Sequence, residues 1–159
     1  METLVTSLSD YELERGKPMP STVHAFIQGN LVYELKDRYR KEFTILPEIN
    51  LNLPGGRPTV PDLAVYSRFE VDVRHDIIYR TDAPLITIEI LSPRQNLQDL
   101  IEKTDQYFAA GVQSCWIVIP GLKAIAVYHQ PGTYDFFTEA SALKDRNLPI
   151  ELPVSTVFG

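Results

Sequence analysis

The chain has 159 residues, of which 44% are hydrophobic and 23% charged, and it carries a net charge of −6. That length and balance suit one soluble domain spanning 1–159 with a sizeable core, while the negative sign argues against tight, non-specific nucleic-acid binding driven by the global field. No apolar run reaches the ~18 residues of a membrane span, the start Met1-Glu2-Thr3-Leu4 lacks a basic leader region, and the single Cys115 permits no intrachain disulfide, so a cytoplasmic protein is expected.

The run from Tyr11 to Pro18 reads as a short extended piece turning at Gly16. Ser21 or Thr22 can cap a helix predicted to reach about Arg40. Ile27, Leu31, Glu34 and Leu35 form one stripe on it, beside Phe26, Asn30 and Tyr33, and the mostly apolar stripe suits packing on a sheet. Its end carries Lys36-Asp37-Arg38-Tyr39-Arg40-Lys41, read either as cations favouring a helix C-terminus or as a local basic groove supplemented by Arg57, Arg68 and Arg94. Partial alternation predicts a strand from Phe43 to Leu53, closed by the turn Pro54-Gly55-Gly56. A strand headed by Asp62 should end near Ser67. The charged segment 68–83 is irregular, open to reading as a lid, a dimer contact or a loop.

Pro84-Leu85-Ile86-Thr87-Ile88-Glu89-Ile90-Leu91-Ser92 is a strand-like run covered on both faces. Asn96 can cap a helix from Leu97 to Ala110, ended by Gly111. Strands are expected over Ser114–Ile119 and Ala124–His129, turning at Pro120-Gly121, with an edge strand at Tyr134–Phe137. Pro149 to Phe158 would lie along the body. Helix, three strands, helix and further strands give an α/β (α+β) sandwich with a mixed central β-sheet flanked by helices.

Glu89 is the most telling residue. A carboxylate in an apolar strand is costly unless it is paired, hydrogen-bonded or bound to a cation. Alternation puts Asp62, Ala64 and Tyr66 on one face of their strand, and Leu85, Thr87, Glu89 and Leu91 on one face of theirs. If the strands pair with both acids on the same side, the carboxylates converge on one cation, a site that suits Mg²⁺. On the next helix Leu97, Ile101, Thr104 and Phe108 cluster on one face, with Leu100 and Tyr107 on its flank and Lys103 just beyond. Lys103 can therefore send its amine into the cleft, to act on water or on developing phosphate charge. The blander readings are a buried ion pair of Glu89 with Lys103, and a helix-surface pair of Asp99 with Lys103. His24, His75 and His129 are isolated, no phosphate loop is present, Cys115 has no activating neighbour, and Trp116 reads as core or interface.

Pro61-Asp62, Glu89-Ile90-Leu91-Ser92-Pro93, Asp99, Lys103, Tyr107, Gly111-Val112 and Trp116, in that order and spacing, resemble the restriction-endonuclease (Uma2) family of the PD-(D/E)xK nuclease superfamily. The resemblance implies a restriction-endonuclease-like core with Asp62 and Glu89 as metal ligands, the Ile90 carbonyl as a third, and Lys103 as the catalytic amine. It places that lysine on the helix, where the superfamily pattern would put one at Leu91. It further implies Mg²⁺ or Mn²⁺, a DNA substrate and a homodimer. Two positions depart from the family pattern: Arg15 in Tyr11-Glu12-Leu13-Glu14-Arg15-Gly16, and Ile119 before Pro120. Glu12, Glu34 and Glu48 are candidate extra ligands. The rival reading is a nuclease-fold binding or scaffold domain without turnover; an RNA-directed or structure-specific activity is a third.

Overall fold

The computed structural model describes residues 19–159; the predicted extended piece at Tyr11 to Pro18 and the candidate ligand Glu12 lie outside the described residues. Helix α1 (Thr22–Tyr39) starts where the Ser21 hydroxyl accepts the His24 N–H at 3.2 Å. Ile27, Leu31 and Leu35 recur at intervals of four and are buried, whereas Phe26 and Tyr33 on the adjoining stripe are exposed. Strand β1 (Phe43–Pro47) is shorter than the alternation predicts. Glu48 enters the left-handed region (φ 51°) and breaks the pleat, so Leu51 bridges Thr59 and Arg80 instead.

Strands β2 (Leu63–Ser67) and β3 (Ile86–Ile90) follow, then α2 (Leu97–Ala109), β4 (Ser114–Ile119), β5 (Ala124–Gln130) and β6 (Thr133–Thr138). Asn96 caps α2 by accepting the Gln98 N–H at 2.8 Å, and Gly111 (φ 103°) ends it in a conformation that L side chains avoid. The six strands form one sheet in the order β1-β2-β3-β4-β5-β6. Every neighbouring pair is antiparallel except β3–β4, which is parallel and joined by the α2 crossover.

Both faces of the sheet are covered, as the unbroken apolar run of β3 requires. Ile86, Ile88 and Ile90 pack with Leu31, Leu35 and Trp116 in the α1 layer. Ala64, Tyr66, Leu100, Tyr107 and Ile117 form the core of the α2 layer. Each fully buried Ile or Leu contributes about 1.5–3 kcal/mol of apolar transfer energy. The tail does more than lie along the body. Strand β7 (Ala142–Lys144) pairs with β8 (Glu151–Pro153), and the short α3 (Ser155–Phe158) docks on α1, where the Asn30 side chain donates to the Val157 carbonyl at 3.0 Å. Trp116 is core: its indole N–H donates to buried Asp145 at 2.9 Å. Among the described residues no helix is long and apolar enough to cross a membrane.

Candidate active site

Thr87 and Glu89 stand on the opposite face of β3 from its isoleucines, under α2. Glu89 is 3% exposed. Its Oε1 receives the Lys103 ammonium at 3.3 Å and the Tyr107 hydroxyl at 3.1 Å. One turn of α2 separates the two donors, so a single helix face delivers both. The buried face of α2 is Leu100, Thr104 and Tyr107, rotated from the expected stripe of Leu97, Ile101, Thr104 and Phe108. The rotation sets the polar ends of Lys103 and Tyr107 over the one acid of β3. Lys103 therefore pairs with Glu89, and Asp99 is left on the exposed surface. The Lys103 side chain keeps 28% of its surface exposed against 4% for Glu89, so the ammonium bridges the buried acid and solvent. Burial, reinforced by the negative charge of Glu89, pushes the Tyr107 phenol well above its usual value and keeps it a proton donor.

Asp62 precedes β2 and lies at a bend, so simple alternation does not govern its carboxylate. Its Oδ2 accepts the Ile90 N–H at 2.7 Å, and its Oδ1 meets the His24 Nε2 of α1 at 3.0 Å. Asp62 thus reaches the residue next to Glu89 through the sheet edge, while its second oxygen is held from the α1 layer. The register explains this turn. Leu63 pairs with Ile88, and two residues further along Pro61 stands opposite Ile90. Proline has no N–H to give the Ile90 carbonyl in that rung, and the Ile90 N–H is taken by the Asp62 side chain. The Leu91 N–H bonds across to Val118 of β4 at 2.9 Å. Strand geometry therefore turns the Ile90 carbonyl toward the β2 edge, where Pro61 has no proton to offer it.

Two contributors were not legible as site residues. His24 reads as an isolated histidine, yet it is 4% exposed and held against Asp62. Tyr107 reads as flank packing and as one position of the motif that carries the resemblance; its place one turn after Lys103 was the further signal. Glu34 pairs with Arg38 at 3.2 Å along α1 and does not join the site. Glu48 approaches through its backbone N–H, which donates to the Asp62 carbonyl at 3.2 Å, beside the Gln28 side chain, which donates to the same carbonyl at 3.0 Å. From there a groove of about 690 Å³ runs along α1 past Gly29 and Tyr33 to Lys36 and Arg40. Lys36 and Arg38 also lie in the last turn of α1, where cations favour the helix end. Cys115 is buried and its thiol is pushed up to about 12, mainly by burial, as expected of an inert cysteine.

The ligands expected from the sequence are two carboxylates and a strand carbonyl, all hard oxygen. Among the described residues no cluster of three or more His, Cys, Asp or Glu forms an all-protein cage. The set fits Mg²⁺ or Mn²⁺, which bind through one or two carboxylates and keep several waters. A carboxylate has about four lone-pair sites, so the donors already at Asp62 and Glu89 do not bar a cation.

A family model described as "Putative restriction endonuclease" (Uma2) matches residues 5–154. A solved structure of "a putative nuclease belonging to DUF820" from Anabaena variabilis ATCC 29413 superposes with a TM-score of 0.76 at 23% identity, covering 89% of this chain and 83% of that one. At that identity the likeness speaks for the fold. None of the curated proteins gives a significant match.

Proposed function

The chain belongs to the Uma2 restriction-endonuclease family, and from that premise we propose that it is a Mg²⁺- or Mn²⁺-dependent nuclease hydrolysing the phosphodiester bonds of DNA. The observation that carries this reading is the contact of Lys103 with Glu89 beside the Asp62–Ile90 hydrogen bond. Glu89 and the Lys103 amine meet there, and the Asp62 carboxylate binds the backbone of the residue next to Glu89.

Asp62, Glu89 and the Ile90 carbonyl would hold the ion. Bound there, it supplies Lewis-acid polarisation of the scissile phosphate and a water of lowered pKa. Lys103, partly in solvent, orients that water or balances the charge that develops on the phosphate. Ile90 and His24 fix the Asp62 carboxylate from two directions, and the buried walls of the sheet end keep bulk water away from both acids. Lys36 and Arg40, which outweigh Asp37 at one end of the α1 groove, support a backbone contact with the nucleic acid, local enough to coexist with the negative net charge. The exposed Val23, Phe26 and Tyr33 of α1 support self-association, which would bring two sites to two strands.

The test is cleavage of supercoiled and linear DNA, and of RNA, with Mg²⁺, Mn²⁺ or EDTA. Metal-dependent nicking is expected on DNA. No cleavage of any nucleic acid, with no metal-induced rise in Tm, would instead favour the scaffold. That rival draws on the donors already seated on both carboxylates.

A further inference from the structure

Tyr107 stands between two partners: Glu89 Oε1 at 3.1 Å and the Thr59 hydroxyl at 3.1 Å. The proton order follows from chemistry. An ionised carboxylate only accepts, so the single phenolic hydrogen goes to Glu89, and Thr59 must donate its hydrogen into the Tyr107 oxygen. A hydroxyl that accepts one hydrogen bond donates the next more strongly. The chain Thr59→Tyr107→Glu89 is therefore polarised toward the acid of β3.

Thr59 is held to this task by its backbone. It exchanges both N–H···O bonds with Leu51, at 2.8 and 2.9 Å, and Leu51 is fully buried. The turn through Gly55 (φ 77°) folds the chain back so that this pair can form. The neighbouring residues Asn50 and Asn52 are tied in turn to the backbone of Arg80, at 3.0 and 2.9 Å. This irregular patch of backbone lies beyond the end of β1, and it brings one hydroxyl to one phenol.

We propose that Thr59 and Tyr107 are positioning residues that set the orientation of the Glu89 carboxylate before a divalent cation arrives, with Thr59 acting wholly through the Tyr107 hydroxyl. The proposal rests on the metal-nuclease reading and deepens it by assigning the support of one ligand. Neither residue touches the cation or the substrate. Partners of this kind typically change metal affinity by about 10–100-fold when lost.

The experiment is isothermal titration of the full chain with Mn²⁺ alone, with no nucleic acid. The variants are Tyr107→Phe, Thr59→Val, Thr59→Ser and the double variant Tyr107→Phe/Thr59→Val. Circular dichroism melts confirm that each is folded, and Thr59→Val keeps the shape of the residue it replaces. About tenfold weaker Mn²⁺ binding is expected for Tyr107→Phe, a smaller loss for Thr59→Val, and recovery in Thr59→Ser, which restores the hydroxyl. In the Tyr107→Phe background, Thr59→Val should have no further effect, because the route to Glu89 is already cut. Wild-type affinity in Tyr107→Phe, or equal losses for Thr59→Val with and without the phenol, would overturn the relay and leave the nuclease reading standing. A wild-type chain that binds no Mn²⁺ would overturn the metal reading, and the relay with it.

Discussion

Ile90 gives its backbone N–H to the side chain of Asp62 at 2.7 Å, in a rung where a strand would normally supply a carbonyl. The rung is incomplete because Pro61, opposite Ile90, has no N–H to give the Ile90 carbonyl. Restoring an N–H at that position should close the rung and draw the Ile90 carbonyl into the ladder. Pro61→Ala is therefore expected to keep the Tm within a few degrees, while metal-dependent cleavage falls by about tenfold or more. A variant that cleaves like the wild type would show that the Ile90 carbonyl takes no part.

Glu89→Gln removes the charge and keeps the shape, so the fold should persist and cleavage should disappear. Lys103→Ala removes the amine but leaves the Tyr107 donor on Glu89. It should cost about 1–3 kcal/mol of stability through the weakened support of a buried acid, and about 10²-fold or more in cleavage rate. Plasmid nicking alongside urea unfolding measures both. Cleavage that survives either change at wild-type rate would mean that the chemistry lies elsewhere.

His24 holds Asp62 at 3.0 Å, and both residues are almost fully buried. Truncation to Ala withdraws a donor from a buried carboxylate, for an expected loss of about 1–3 kcal/mol. His24→Gln, which can still donate from a similar reach, should recover part of it. Equal stability of the Ala and Gln variants in urea titrations would mean that the hydrogen bond contributes nothing.

Cys115 provides a pH prediction with a definite sign. Its thiol is raised from 9.0 to about 12, chiefly by burial, with the negative charge of Glu89 adding to it. The folded chain keeps this proton after the unfolded chain has released it. The stabilisation is therefore complete below pH 9 and declines as the pH rises toward about 12. At about 1.4 kcal/mol per unit the decline amounts to no more than about 4 kcal/mol. Cys115→Ala should flatten this part of the alkaline stability curve. A thiol reagent at pH 8 should label the native chain far more slowly than the chain in denaturant.

Much of the frame was legible because local chemistry decides it. Ser21 and Asn96 cap the helices they were expected to cap, Gly111 ends the second, and the apolar run around Glu89 is a central strand buried on both faces. The mixed sheet followed from the order of helices and strands, and the family from the order of short motifs. What was hidden depends on contacts that join distant parts of the chain. Nothing in the local sequence around His24 points to Asp62, and nothing near Thr59 points to Tyr107. The end of β1 was missed because a left-handed Glu48 has no sequence signature of the kind glycine provides. The turn of Asp62 into the sheet edge was missed because period-two alternation holds only inside a strand, and β2 starts one residue later.

Because the amine sits on α2 and the acid on β3, their separation is set by how a helix rests on a sheet and not by the fixed pleat of one strand. Small slides of packed helices cost little compared with unfolding and are a common route of conformational change. A change under α2, at Leu100 or Val112, could therefore detune the amine while circular dichroism still reports an intact fold. On warming, turnover would be lost before the melt. Under the nuclease reading, the same freedom would let a bound nucleic acid shift the rate through the seating of a single helix.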